Sequence, residues 1–144
     1  MGGGDRRQLG SAVILLDTQV LLWHRFGYGS LGRRTRGAID RAWARGNAAV
    51  SAITFWEVGM LHARGKLTLL SDIDGWRADL LRDGLVALPV DDVIATRAGL
   101  LTDLHGDPAD RLILATALEG HQLVTADVRL LDWPGAVGRL DARE

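Results

Sequence analysis

The chain contains no cysteine. That excludes a disulfide framework, a thiolate zinc site and a thiol nucleophile, and it agrees with a cytoplasmic location. Lysine is nearly absent as well: Lys66 is the only one, and the other cationic side chains are arginines. Schiff-base or P-loop chemistry would have to rest on that one residue. No charge of one sign dominates. The net charge is −1, so any nucleic-acid contact must be local. No apolar run approaches the ~18 residues that a membrane span requires. The opening MGGGDRRQLG has no long apolar stretch after its charges, unlike a secretory signal. Residues 1–10 read as a flexible lead-in. Arg6 stands where a myristoylation signal needs Ser or Thr. No internal repeat, linker or low-complexity tract follows, which leaves a single domain over residues 11–144.

What is present is an ordinary globular chain. It has 144 residues, 47% of them apolar and 24% charged. A chain of this length buries roughly 68–70% of its unfolded surface, enough for a core without staples.

The apolar pattern alternates between two periods. Residues 12–16 (AVILL) form a continuous apolar run, as expected of a strand buried on both faces. Thr18 to Phe26 predicts a short helix, broken by GYGSLG. Arg33 to Arg45 predicts an amphipathic helix ended by Gly46. Ala48 to Ala52 is a second strand, and Thr54 to Arg64 a helix ended by Gly65. Ser71 to Arg82 is a helix capped by Ser71 or Asp72 and stopped by Gly84. Leu85 to Val90 is a third strand. Helices then follow over Asp91 to Leu104 and Pro108 to Glu119. Gln122 to Thr125 is a fourth strand, and Ala136 to Leu140 a fifth at the edge. Strands alternating with helices predict an α/β fold with a mostly parallel sheet of four or five strands, covered on both faces.

Four carboxylates interrupt this pattern. Asp17 ends the run AVILLD, Glu57 lies inside AITFWEVGML, Asp110 opens DRLILATAL, and Asp127 ends LVTAD. Lone acids are rarely buried unless paired or bound to a metal. Each has a plainer reading. Asp17 would cap the helix from Thr18. Asp110 would complement the dipole of its helix, and Asp127 would begin a turn. Asp107-Pro108 is best read as an N-cap followed by Pro at the first helical position. Glu57 resists such a reading, because it shares a helix face with Ile53, Met60 and Leu61. In open parallel sheets, ligands bind beyond the carboxyl ends of the strands. Asp17, Glu57 and Asp127 can all reach that edge, and Asp110 can face it. One acidic pocket holding a divalent cation explains all four. Mg²⁺ or Mn²⁺ suits all-oxygen ligands, and such an ion activates water against a phosphodiester.

The segments LLDTQVLLW, SAITFWEVGML, GDPADRLILATAL and LVTAD, in this order and at these separations, resemble those of PIN-domain ribonucleases. More narrowly, they are similar to the VapC toxins of bacterial toxin–antitoxin pairs. The likeness runs from Val13 to about Trp133. It implies a PIN-like three-layer α/β/α sandwich and Mg²⁺- or Mn²⁺-dependent cleavage of single-stranded RNA. It also implies homodimers, and inhibition by a VapB-type antitoxin in a heterotetramer or larger assembly. By position, Asp17, Glu57, Asp110 and Asp127 match the family's acidic quartet, and Thr125 its small hydroxyl residue. Asp17 and Asp110 would then ligate metal directly. Glu57 would act through water or orient the nucleophile, and Asp127 would hold a second ion or an outer-shell water. Asp107 is a possible outer contributor.

Other patterns carry less. Gly27 to Gly32 spells G-x-G-x-x-G, but a dinucleotide loop must follow the first strand directly, with an acid ~20 residues on. A helix intervenes here, and that position is Ala52. The four histidines have no zinc spacing. Arg33, Arg34, Arg36, Arg41 and Arg45 read first as a solvated helix face, with phosphate tracking as the alternative. Arg111 would orient Asp110 or reach RNA. Trp23, Trp43, Trp56 and Trp76 read as core or dimer interface. Three rivals share parts of this pattern: a housekeeping RNA-processing PIN nuclease, an inactive PIN-like binding module and a phosphoacceptor receiver domain. The last needs a lysine late in the chain, where Lys66 is not.

Overall fold

The computed structural model describes residues 13–144. The lead-in over residues 1–10 lies outside them. The chain order is β1 (Ile14–Leu16), α1 (Thr18–Phe26), α2 (Arg33–Ala44), β2 (Ala48–Ser51), α3 (Ile53–Ala63) and α4 (Ile73–Arg82). It continues with β3 (Val86–Leu88), α5 (Asp92–Leu100), α6 (Pro108–Ala117), β4 (Gln122–Thr125), α7 (Val128–Leu131) and β5 (Gly138–Asp141).

The five strands form one sheet in the order β3-β2-β1-β4-β5, and all four pairings are parallel. β1 is central, pairing Ile14 with Ala48 on one side and with Gln122 on the other. Successive strand residues point to opposite faces. Leu16, Ala48, Val50 and Val124 therefore pack with Leu21 of α1, Ile39 of α2 and Leu80 of α4. Leu15, Ala49 and Leu123 face the other way, against Ile113 and Leu114 of α6 and Leu130 of α7. α5 covers α6 from outside through Ile94, Ala98 and Ala115. The result is the expected α/β/α sandwich.

Helix starts follow the acids. The side chains of Asp72, Asp91 and Asp107 accept from the backbone amides of Gly75, Ile94 and Asp110 at 2.6, 2.9 and 3.2 Å. Two expectations need correction. The helix expected to reach Leu104 stops at Leu100, and the short helix α7 falls in a stretch the apolar pattern had left unassigned. The early stop has a physical cause. The backbone turns out of the helical region at the Leu101 cap (ψ 135°), and Asp103 beyond it is left-handed (φ 61°), which an aspartate tolerates but a helix running on to Leu104 does not. Arg111 takes up the carbonyls so released. It donates to the carbonyl oxygens of Ala98, Gly99, Leu101, Leu104 and His105 at 2.7–3.3 Å. Arg111 is therefore a scaffold residue, which replaces the reading that it orients Asp110 or reaches RNA.

The GYGSLG loop also has a structural role. The Gly32 amide donates to the Ala142 carbonyl at 2.8 Å, and the Thr35 amide to the Glu144 carbonyl at 2.9 Å. The segment after β5 thus satisfies the start of α2, which has no side-chain cap. A Cβ on Gly32 would fall on the Glu144 carbonyl oxygen. We expect Gly32→Ala to cost about 1–3 kcal/mol through overpacking. A urea melt checks this: the midpoint falls while the slope is kept.

Candidate metal centre

The carboxyl ends of β1 and β4 open into a cleft of about 390 Å³. Asp17, Glu57, Asp107, Asp110 and Asp127 all line it, together with Arg129. The four acids singled out by the sequence therefore share one surface, as does Asp107.

Asp17 is the most deeply placed, 9% exposed. It follows β1, and its amide donates to the Val124 carbonyl of β4 at 2.9 Å. Its Oδ1 accepts from the Thr18 amide at 2.8 Å, capping α1, and its Oδ2 accepts from Thr125 Oγ1 at 2.7 Å. Asp17 thus caps α1 and lines the cleft at the same time. Thr125 is fully buried and also accepts from the Asp127 amide at 3.0 Å, which ties the two acids together. Glu57 projects from α3 and accepts a very short hydrogen bond from Thr18 Oγ1. Thr18 Oγ1 lies 2.9 Å from Thr54 Oγ1. The Thr18 proton goes to Glu57, so Thr54 must donate to Thr18. The chain Thr54, Thr18, Glu57 thereby fixes one oxygen of Glu57 and leaves the other free.

Asp110 sits in the first turn of α6. Asp127 caps α7 and is paired with Arg129, whose Nη2 lies 2.9 Å from Asp127 Oδ2 and 3.6 Å from Asp110 Oδ2. His105 approaches Asp110 too, with Nε2 3.2 Å from Oδ2, but off the hydrogen-bond direction, so that Nε2 is a buried nitrogen without a partner. His105, Asp110 and Asp127 can each bring one atom to within 4.8 Å of the others, the spacing of a metal set. Tautomer chemistry speaks against His105 as a ligand. The Asp107 amide donates to His105 Nδ1 at 3.2 Å, so in the neutral ring Nε2 carries the proton.

The electrostatics are those of a site short of positive charge. Burial pushes the Asp110 carboxyl from 3.8 up to about 7, with further upward pushes from Asp17, Asp107, Asp127 and Glu57. Burial also raises Asp17 and Glu57, against the hydrogen bonds from Thr125 and Thr18 that pull them down. Only Asp127 is lowered, chiefly by its hydrogen bond from Arg129. Crowded carboxylates with raised values are what a divalent cation relieves, so the donor set fits a hard, oxygen-binding ion.

A carboxyl raised on folding binds more protons in the folded state. Asp110 therefore favours the metal-free fold below about pH 4, and this advantage is lost as the pH rises through about 7. In EDTA, thermal stability should fall across that window. Mn²⁺ at 100 times its Kd should restore about 2.7 kcal/mol at neutral pH. Calorimetry at several pH values, with and without the ion, measures both.

The PIN domain family model matches residues 14–135, which span β1 to β4 and all four acids. The chain belongs to the PIN domain family. It is 35% identical over 119 residues to Ribonuclease VapC22 of Mycobacterium tuberculosis, covering 82% of this chain and 89% of that protein. Among solved structures it is similar to a toxin–antitoxin complex from Klebsiella pneumoniae, with a TM-score of 0.60 and 27% identity. That match covers 92% of this chain and 98% of that one. VapBC2 from Rickettsia felis, solved with a DNA fragment from its promoter, shares the fold with a TM-score of 0.64. It is 16% identical and covers 90% of this chain and 99% of that one.

Within this PIN fold, sequence reasoning missed Thr18, Thr54, His105 and Arg129. Thr18 and Thr54 had a usable signal: a hydroxyl directly after Asp17, and another one helical turn before Glu57. The arginine run of α2 stays on its own helix, with Arg33, Arg34, Arg41 and Arg45 exposed. Trp23 is buried, Trp43 and Trp76 are half-buried, and Trp56 is 54% exposed. No helix among the described residues is long and apolar enough to cross a membrane.

Proposed function

We propose that this PIN domain, acting as a single unit over residues 11–144, is a metal-dependent endoribonuclease and the toxin of a toxin–antitoxin pair. One observation carries the reading: Asp17, Glu57, Asp110 and Asp127, far apart in sequence, line one cleft at the carboxyl edge of the sheet. The VapC22 relative and the toxin–antitoxin neighbours support it.

Asp17 and Asp110 would hold Mg²⁺ or Mn²⁺ directly, and Glu57 would act on it through a water. When bound, the ion offsets charge on a phosphoryl oxygen and lowers the pKa of water. Thr125 and the Thr18 amide hold Asp17 in place. Glu57, fixed by Thr18, orients the attacking water with its free oxygen and takes its proton. Attack in line with the P–O3′ bond breaks that bond. The 3′ oxygen gains a proton, leaving a 3′-hydroxyl and a 5′-phosphate. The partners are a single-stranded RNA segment, a second copy of the chain and a VapB-type antitoxin that covers the site.

The test is cleavage of single-stranded RNA by the purified protein with Mg²⁺ or Mn²⁺, with the ends mapped. Turnover stopped by EDTA, with 5′-phosphate ends, supports the proposal. Metal binding without turnover would point to an inactive PIN scaffold. Turnover without growth arrest on expression would point to a processing nuclease.

A further inference from the structure

Arg129 is the only arginine or lysine among the described residues that line the acidic cleft. It is held like a tool in a clamp. Its Nε lies 3.2 Å from Asp127 Oδ1 and its Nη2 2.9 Å from Asp127 Oδ2, a two-pronged pairing. Asp127 Oδ1 also accepts the Arg129 backbone amide at 2.9 Å. Both oxygens of Asp127 are thus satisfied without a metal. The Arg129 side chain nevertheless stays 57% exposed, and its Nη2 reaches to 3.6 Å from Asp110 Oδ2. Among the described residues, its Nη1 makes no hydrogen bond.

Asp17, Glu57 and Asp110 differ from Asp127 in this respect: none of them has an arginine or lysine bound through two prongs. The four acids therefore divide into a cation-seeking set of three and an arginine anchor.

Resting on the nuclease reading above, we infer that Asp127 is the positioning residue of Arg129 rather than a metal ligand. Arg129 binds a non-bridging oxygen of the scissile phosphate. A planar guanidinium with one edge pinned to a carboxylate presents its remaining donors in a fixed direction, which suits a phosphate oxygen. Placed at the rim of a metal cleft, it meets charge that builds up during displacement at phosphorus, and it need not reorganise to do so. The pair Asp127–Arg129 is neutral as a unit, so it leaves the charge available to the cation to the other three acids.

Two measurements on the full chain test this: Mn²⁺ affinity by electron paramagnetic resonance, and kcat and KM on a fluorescent single-stranded RNA. Arg129→Ala should lower kcat by about 100-fold or more without weakening Mn²⁺ binding. Arg129→Lys should recover part of the loss, and millimolar guanidinium ion should partly rescue Arg129→Ala. The double variant Asp127→Asn with Arg129→Gln should change the Mn²⁺ Kd by less than about 10-fold, whereas Asp110→Asn exceeds that. A double variant that loses Mn²⁺ as Asp110→Asn does would overturn the inference, because Asp127 would then be a ligand. Wild-type turnover by Arg129→Ala would overturn it as well. A wild-type protein that binds Mn²⁺ but cuts no RNA would instead sink the nuclease reading.

Discussion

Asp17→Asn should lower RNA cleavage by at least about 10²–10³-fold and end growth arrest on expression, while the protein stays folded. The two halves of this expectation have separate origins. Activity falls because the deepest carboxylate of the cleft loses its charge. The fold survives because Asn keeps an oxygen to accept the Thr18 amide, and so the cap on α1. It also removes a buried charge that burial already disfavours. The melting temperature in EDTA should therefore hold or rise, and the response to Mn²⁺ should shrink. Undiminished cleavage by a folded Asp17→Asn protein would remove this residue from the mechanism.

Arg111→Met should be the most damaging change at a residue that does not line the cleft. We expect a loss of about 3–4 kcal/mol, because charged hydrogen bonds to five carbonyls disappear together. Arg111→Lys should not restore it, since one ammonium cannot span carbonyls that a planar fork joins. The loss should extend to the metal site. Arg111 ties the end of α5 to residues 104–105, the segment that leads into the Asp107 cap and Asp110. A shifted urea midpoint together with weaker Mn²⁺ binding is the expected pair of results. Arg139 does the same work across the sheet, donating to the carbonyls of Leu130, Leu131, Trp133 and Gly135 at 2.6–2.9 Å beneath α7. The segments that carry Asp110 and Asp127 are each held by an arginine turned toward backbone.

The periodicity of the chain was enough to reach the sheet, its parallel sense and most helices, because apolar runs and Gly stops are local signals. α7 escaped because one turn of helix has too few residues to display a period. The end of α5 escaped because no local residue marks it, and the carbonyls it frees are taken up by Arg111, which lies in the next helix. The acids were legible for a different reason. Glu57 broke an apolar face, and Asp17 closed an apolar strand, so each contradicted its surroundings. Asp107 was read as a cap and is one, yet its carboxylate also lines the cleft. Arg129 gave no signal at all, because an arginine after a turn is ordinary until the partner across the cleft is known.

The strand order has a consequence in time as well as in space. β1 sits between β2, its neighbour in sequence, and β4, which arrives more than a hundred residues later: Ile14 pairs with Gln122. Long-range parallel pairing is slow, since the loop must close before the contacts reward it. A nascent chain that has emerged only through β3 holds Asp17 and Glu57 but neither Asp110 nor Asp127. Its Asp17 also lacks Thr125, the hydroxyl that fixes its second oxygen. The cleft thus stays incomplete until Asp127 has emerged, more than a hundred residues after Asp17, and a ribosome making this chain meets no finished cleft before then.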